Sequence, residues 1–197
     1  MEKEIRLLPL REAQTIAFKE EMQEAFQHGF DFQSSLLTLG RADTSIALPS
    51  LNRSLQSYYK DDNQWQVLPD KDFYQSLEAE GAEAYEAIDE DGQRVGGAII
   101  AIDDAKHHGE LSFLYVKVGV QSKGIGQAIW KAIEALHPEI EVWVTCTPYF
   151  NRRNIHFYIN RLGFHAVEFF NEHHPDPHMP EQFDQEDGLF KFEKRMK

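Results

Sequence analysis

Cysteine is almost absent from this chain, and its scarcity limits the chemistry that the chain can carry. The only cysteine among the 197 residues is Cys146, so an internal disulfide is excluded and a reducing compartment is expected. Cys146 lies in the apolar run 140–147, which is typical of a buried strand. We therefore expect an inert thiol in the core, with a nucleophilic thiol as the alternative.

Long apolar runs and basic residues are also scarce. No stretch approaches the ~18 apolar residues of a membrane span, and the charged start, residues 1–6, lacks the apolar core of a signal peptide. The cytoplasm is therefore the expected location. The formal net charge is −13, which disfavours binding to nucleic acid or an anionic membrane and favours cationic substrates such as amines. The alternative is that the acidity only keeps the protein soluble.

The length of 197 residues favours a single domain, residues 1–197. Apolar residues at helical spacing predict a helix that ends near Gly29, whereas residues 30–70 show no clear period and fit one or two short helices. The turn through Asp91 and Gly92 predicts a hairpin. The remaining predicted elements are a strand at 4–10, a helix at 70–80 and the hairpin strands at 84–88 and 95–102.

A glycine-containing turn, Gln121 to Gly126, follows a strand-like run at 110–118 and opens a helix-like run. Glycines let backbone N–H groups approach a ligand closely, and the first turn of a helix has unpaired donors that favour an anion. This layout is typical of a phosphate site. Taken alone, the segment fits a plain geometric turn equally well.

A second motif follows the buried run 140–147. An asparagine stands seven residues before a tyrosine, and a Gly-Phe pair after the tyrosine closes the helix. With both motifs in this order, residues 84 to 170 resemble the GNAT superfamily of acyl-CoA-dependent N-acyltransferases. The matching positions are Gln121, Gly124 and Gly126 in the pyrophosphate signature and Asn151, Tyr158, Gly163 and Phe164 in the second. Asn154 departs from the family pattern, which usually has a small alanine there.

The resemblance implies an α/β (α+β) fold in which helices flank a mixed central β-sheet. Strands 4 and 5, here 110–118 and 140–147, would splay apart to admit the pantetheine of acetyl-CoA, which is the implied cosubstrate. The segment at about 30–80 would lie on the acceptor side. The implied cofactor-binding residues are Val116, Val118, Gln121, Ser122, Lys123, Gly124, Ile125, Gly126, Gln127 and Asn151. Helix capping would also explain Asn151.

Acetyl transfer to an amine needs a base, because an alkyl ammonium has a pKa of about 10.4 and must lose a proton before it attacks. Glu110 stands fourteen residues before Gly124, the spacing at which histone acetyltransferases of the superfamily carry their catalytic glutamate. Burial there would raise its pKa. A solvated carboxylate is the alternative reading, and His107 and His108 are weaker candidate bases.

The departing thiolate needs an acid, and the resemblance assigns that role to Tyr158. Its hydroxyl would point at the CoA sulfur and protonate it. The spacing predicts a helix over 154–162, on which Tyr158 shares a side with Ile155, while Ile155, Ile159 and Leu162 are expected to form the buried stripe. A packed aromatic residue is the alternative.

The run His-His-Pro-Asp-Pro-His at 173–178 carries several metal-ligand types. Two prolines interrupt any regular spacing and no second ligand group is evident, so we expect a polar loop and no metal site. Because the loop comes after the recognised motifs, it could contact the acceptor.

These observations together predict an N-acetyltransferase that passes the acetyl group of acetyl-CoA directly to a primary amine of a small molecule or peptide. The protein would be a monomer or homodimer. The rival hypothesis is a non-catalytic acyl-CoA sensor or protein-interaction module. Dinucleotide binding is disfavoured because there is only one glycine pair and no acidic residue ends a following strand.

Overall fold

The computed structural model describes residues 4–39, 67–120, 124–176 and 188–197, with the backbone alone given for 30–39. The predictions for Gln121, Ser122, Lys123 and His178, and for most of the segment at 30–70, lie outside the described residues.

The described elements alternate between strands and helices along the chain. The helices are α1 (Thr15–Leu39), α2 (Asp70–Glu78), α3 (Ile125–Leu136) and α4 (Arg152–Phe157), with a 3-10 turn at Glu12–Gln14 and a π-helical turn at Tyr158–Leu162. The strands are β1 (Arg6–Pro9), β2 (Ala82–Ile88), β3 (Arg94–Asp103), β4 (His108–Val116), β5 (Val142–Pro148), β6 (His165–Phe170) and β7 (Leu189–Arg195). The predicted hairpin and the helix at Asp70 are confirmed. The N-terminal helix was predicted too short, since α1 continues through Gly29 to Leu39.

The seven strands form one open sheet in the order β1-β2-β3-β4-β5-β7-β6. Neighbouring strands are antiparallel except β4 and β5, which pair in parallel. A parallel pair needs a crossover connection, which α3 supplies. The predicted mixed sheet with flanking helices is confirmed.

Helices cover both faces of the sheet, so its central strands are apolar on both sides. On β3, Ala98 and Ile100 pack with α3 and the Tyr158–Leu162 turn, whereas Ile99 packs with α1 and α2. We call these two sides the α3 face and the α1 face. Phe18 and Met22 of α1 and Ile129 and Ile133 of α3 are fully buried, which anchors both helices to the sheet. Within the described residues, no helix is long and apolar enough to cross a membrane.

Candidate active site

The parallel strands β4 and β5 pair over only a short distance. Their ladder joins His108 to Val142, Gly109 to Trp143 and Glu110 to Val144, and then stops, although both strands continue. A β-bulge interrupts the β3–β4 ladder close to this point. Ile100 pairs with Leu111 and Ile99 pairs with Phe113, so the register shifts between these two pairs. Bulges often end pairing and redirect side chains next to active sites. The predicted splay between strands 4 and 5 is therefore confirmed, and its apex lies at Glu110 and Val144.

The side chain of Thr145 links β5 to β4 at the apex of the splay. Its Oγ1 donates a hydrogen bond of 2.9 Å to the carbonyl oxygen of Leu111, just beyond the last ladder pair. Thr145 is only 2% exposed. Nothing in the sequence singled out this residue, because the apex is defined by where two strands part and not by a local pattern.

Tyr158 lies beside the apex on the α3 face. The residue is 8% exposed, and its ring contacts those of Phe164 and Phe192. Burial raises the pKa of Tyr158 to about 12, although the nearby Thr145 hydroxyl acts in the other direction. The phenol is therefore protonated at neutral pH, as a proton donor requires. Its packed position also agrees with the aromatic alternative.

The helical turn that carries Tyr158 is not the regular helix that was predicted for 154–162. The chain forms a π-helical turn over Tyr158–Leu162, and Gly163 ends it with a φ of 79°. The predicted stripe is wrong at Ile159, which is 40% exposed, whereas Leu162 is buried. A π turn inserts an extra residue and so rotates the later residues about the helix axis, and such turns are frequent at functional sites.

Glu110 lies on the opposite, α1 face. Its strand neighbour Leu111 packs on the α3 face, and alternate residues of a strand point to opposite faces. The side chain is exposed to solvent, yet desolvation by the surrounding protein raises the pKa of Glu110, with the charge of Lys191 acting in the other direction. No described residue donates a hydrogen bond to it. A carboxylate with a raised pKa suits a general base better than an ordinary one does.

Cys146 lies near Glu110 on the α1 face, and the prediction of a core thiol is wrong. Thr145 and Thr147 are buried on the α3 face, so the alternation of β5 places Cys146 on the other side, where it is exposed. Protein atoms still crowd the thiol, and desolvation together with the charge of Glu110 raises the pKa of Cys146 to about 12. A thiol with that pKa has little thiolate at neutral pH, so it is a poor nucleophile.

Charged residues of β6 and β7 complete this part of the α1 face. Lys191 pairs with Cys146 in the ladder, and its Nζ lies 3.8 Å from Oε2 of Glu168. His174 Nε2 lies 3.0 Å from the other Glu168 oxygen. Sequence reasoning missed Lys191 and Glu168, because only the β6–β7 pairing brings them to the site. Among the described residues, no group of three or more His, Cys, Asp or Glu side chains could hold a metal ion.

The described part of the glycine turn fits a phosphate-bearing ligand. Gly124 precedes α3 with a left-handed φ of 108°, and no side chain caps the helix. A Cβ at Gly124 would meet no atom of the described residues within 4 Å. The start of a helix without a side-chain cap has unpaired backbone donors that favour an anion.

The other predicted cofactor residues occupy different settings. Ile125 is buried in the core, so only its backbone is available to a ligand. A Cβ at Gly126 would lie 3.0 Å from Cζ of Phe157, so this glycine also allows α4 to pack closely on α3. The Gln127 side chain donates to the carbonyl oxygen of Arg161 at 3.0 Å, which engages it within the protein. Val116 and Val118 are half-buried at and just beyond the end of β4.

Asn151 caps helix α4. Its Oδ1 accepts a hydrogen bond of 3.1 Å from the backbone N–H of Asn154. The capping alternative for Asn151 therefore has direct support, and contact with pantetheine stays a prediction.

Three comparisons with known proteins agree with this geometry. The family model described as "Acetyltransferase (GNAT) family" matches residues 48–164. An uncharacterized Bacillus subtilis (strain 168) protein, YrkN, is 44% identical over 135 residues, which span 65% of this chain and 72% of that protein.

Solved structures share the fold at low sequence identity. The ribosomal-protein-S18-alanine N-acetyltransferase from Escherichia coli has a TM-score of 0.57 and 11% identity, covering 97% of this chain and 93% of that one. The spermidine N-acetyltransferase from Vibrio cholerae, in complex with CoA and spermine, has a TM-score of 0.58 and 10% identity over 98% and 95% of the two chains. The family model spans more than half of the sequence, and this chain belongs to the GNAT acetyltransferase family and is an acyltransferase.

Proposed function

We propose that this acyltransferase moves the acetyl group of acetyl-CoA directly to a primary amine of a small molecule or peptide. The observation that carries the proposal is the splay between β4 and β5, with Glu110 on one face at its apex and Tyr158 on the other. A thioester held in the splay would have a base on its acceptor side and an acid near its sulfur.

Each residue of the site has one task in this reaction. Glu110 takes a proton from the amine nitrogen as that nitrogen attacks the thioester carbon. The C–S bond breaks, and Tyr158 gives its hydroxyl proton to the departing sulfur, which leaves as free thiol. The open turn at Gly124 and the first N–H groups of α3 hold the pyrophosphate.

Direct transfer is favoured over a covalent acyl-enzyme on the evidence of Cys146. It is the only cysteine in the chain, and its pKa is raised to about 12. A thiol nucleophile for an acyl intermediate would need the opposite shift.

The acceptor side is proposed to be the α1 face. Glu110 and Cys146 lie on that face. Helix α1 also passes close to α4, because a Cβ added at Gly29 of α1 would lie 3.7 Å from Nη1 of Arg153 in α4. The segment at about 30–80 would then complete the acceptor site within one catalytic domain, residues 1–197. The net charge of −13 favours a cationic acceptor, and two neighbours in fold are named for an amine of a protein and for spermidine.

A panel of amines tests the proposal. Wild-type protein is mixed with acetyl-CoA and one of several classes, namely polyamines, aminoglycosides, amino-acid derivatives and peptides, and free thiol is followed over time. At least one class should release thiol at a rate that depends on acceptor concentration. No release above hydrolysis with any class, although CoA binds, would favour the rival hypothesis of a sensor.

Tyr158→Phe identifies the chemistry once an acceptor is found. Losing a positioned general acid typically costs ~10² to 10⁴ in rate, so the single-turnover rate should fall sharply while thermal stability and CoA affinity change little. Tyr74→Phe, on the exposed side of α2, is the matched control. A normal single-turnover rate for Tyr158→Phe would mean that the thiolate leaves without this acid.

A further inference from the structure

The Thr145 hydroxyl occupies the point where the two parting strands last touch. Glu110 and Val144 form the final β4–β5 ladder pair, and the next contact is the hydrogen bond of 2.9 Å from Thr145 Oγ1 to the Leu111 carbonyl oxygen. A side chain therefore takes over where the backbone ladder ends. Because Thr145 is buried, water does not compete for this bond.

Tyr158 is fixed next to this hydroxyl by independent contacts. Phe192 is the ladder partner of Thr145 on β7, and the ring of Tyr158 packs against Phe192 with centroids 5.6 Å apart. The Thr145 hydroxyl is also near enough to the Tyr158 hydroxyl to lower the pKa of that phenol. A threonine hydroxyl has one hydrogen and two lone pairs, so Oγ1 can donate to Leu111 and still accept the hydrogen of Tyr158.

We infer that Thr145 is a positioning residue that orients the Tyr158 hydroxyl and stabilises the phenolate left when Tyr158 protonates the departing sulfur. The inference rests on the proposed function of Tyr158 as the acid. In the resting state of this proposal, Thr145 donates to Leu111 and accepts the hydrogen of the Tyr158 hydroxyl. When that proton moves to sulfur, the phenolate oxygen becomes an acceptor, and the Thr145 hydroxyl turns from Leu111 to donate to it. The step is a proton transfer from oxygen to sulfur and involves no oxidation or reduction.

Two substitutions separate the hydroxyl from the shape of the side chain. Thr145→Val keeps the volume and removes the hydroxyl, whereas Thr145→Ser keeps the hydroxyl. A hydrogen bond to a charged group implies a loss of about ten- to hundredfold in the single-turnover rate of the Val variant, and the Ser variant should recover most of it. Thr147→Val is the matched control, because Thr147 is equally buried on the same face of β5 and makes no hydrogen bond to a described side chain.

The Tyr158→Phe background shows whether Thr145 acts through Tyr158. If it does, adding Thr145→Val to Tyr158→Phe should lower the rate little further, because both substitutions remove the same hydroxyl–hydroxyl interaction. An equal loss of rate in both backgrounds would overturn the inference and would show that Thr145 only links β4 to β5.

Carbon NMR of protein labelled at the tyrosine Cζ tests the contact without using activity. The Tyr158 resonance, assigned by its loss in Tyr158→Phe, should shift in Thr145→Val, return in Thr145→Ser and stay in place in Thr147→Val. A resonance that does not move in Thr145→Val overturns the inference. If Tyr158→Phe itself proves fully active, the acid role fails, and the resonance still decides whether Thr145 positions the hydroxyl.

Discussion

Glu110 and Tyr158 approach the splay from opposite faces of the sheet, and this separation suits the two tasks that we propose for them. A base must meet the acceptor, whereas an acid must meet the leaving group on the far side of the reacting carbon. The exposed setting of Glu110 and the buried setting of Tyr158 match that division. Desolvation raises the pKa of both groups, which makes the carboxylate a stronger base and keeps the phenol protonated.

Glu110→Gln should lower kcat/KM by ~10²-fold or more at neutral pH if Glu110 takes the amine proton. The loss should shrink at high pH, where free amine accumulates. Because the pKa of Glu110 is raised, wild-type activity should fall as the pH drops through a value above the usual range for a glutamate. The measurement is a pH profile of kcat/KM for both proteins, with Glu78→Gln on the exposed side of α2 as control.

Lys191→Met provides a second check on the same carboxylate. The positive charge of Lys191 lowers the pKa of Glu110, so its removal should move the acid limb of the profile to higher pH. A Glu110→Gln loss that is equal at every pH, with no shift in Lys191→Met, would assign Glu110 a structural role.

At the scale of elements, the turn before α3 should control cofactor affinity through Gly124. A valine there would occupy the open space in front of the helix and obstruct the backbone N–H groups. We expect CoA affinity in Gly124→Val to fall at least about tenfold, which is ~1.4 kcal/mol, as measured by calorimetric titration.

Gly92→Val is the control that separates obstruction from backbone strain. Gly92 also has a left-handed φ, 77°, and a Cβ there would meet no atom of the described residues within 4 Å, but it lies in the β2–β3 turn. Both variants should lose about 1 to 2 kcal/mol of stability from the strained backbone. Equal CoA affinity in the two variants would remove the phosphate role from this turn.

The sequence predicted which helices and strands form better than it predicted where helices end and which side chains are exposed. The hairpin follows from apolar runs around a turn, which are local signals, whereas the mixed sheet and the splay were implied by the family resemblance that two spaced motifs carry. The end of α1 was missed because Gly29 resembles a stop signal, although a glycine inside a helix costs only about 1 kcal/mol. The exposure of Ile159 was missed because no sequence period marks a π turn.

Site residues that depend on strand register were the hardest to predict. Cys146 was placed in the core because its run, 140–147, was interpreted as a buried strand, and the run does not say which face a side chain points to. Thr145 and Lys191 gained their positions from the β4–β5 and β5–β7 pairings. These pairings join residues far apart in sequence, so no local pattern could have indicated them.

At the scale of the whole molecule, one ionic network fastens α1 to the sheet near the candidate cofactor turn. Glu21 accepts hydrogen bonds from Arg94 Nε at 2.9 Å, from Arg94 Nη2 at 3.0 Å and from Lys117 Nζ at 2.8 Å. Arg94 also pairs with the buried Glu86. Lys117 follows β4 and its backbone N–H donates to the Val95 carbonyl oxygen, so the network joins α1 to β3 and to the end of β4.

Glu21→Gln should therefore destabilise the protein, and the loss should depend on pH. Burial alone raises the pKa of Glu21, but hydrogen bonds from Arg94 and Lys117 outweigh it and lower the pKa below the usual value of 4.5. The ionised carboxylate thus contributes stability above that usual value, and the contribution is lost as the pH falls through the lower folded-state pKa. We expect a loss of about 2 kcal/mol at pH 7, less than for a fully unpaired buried charge, because Arg94 keeps Glu86 as a partner. Urea denaturation at several pH values measures it, with the exposed Glu24→Gln of the same helix as control. Equal destabilisation at pH 7 and at a pH well below 4 would show that Glu21 acts through its shape and not through its charge.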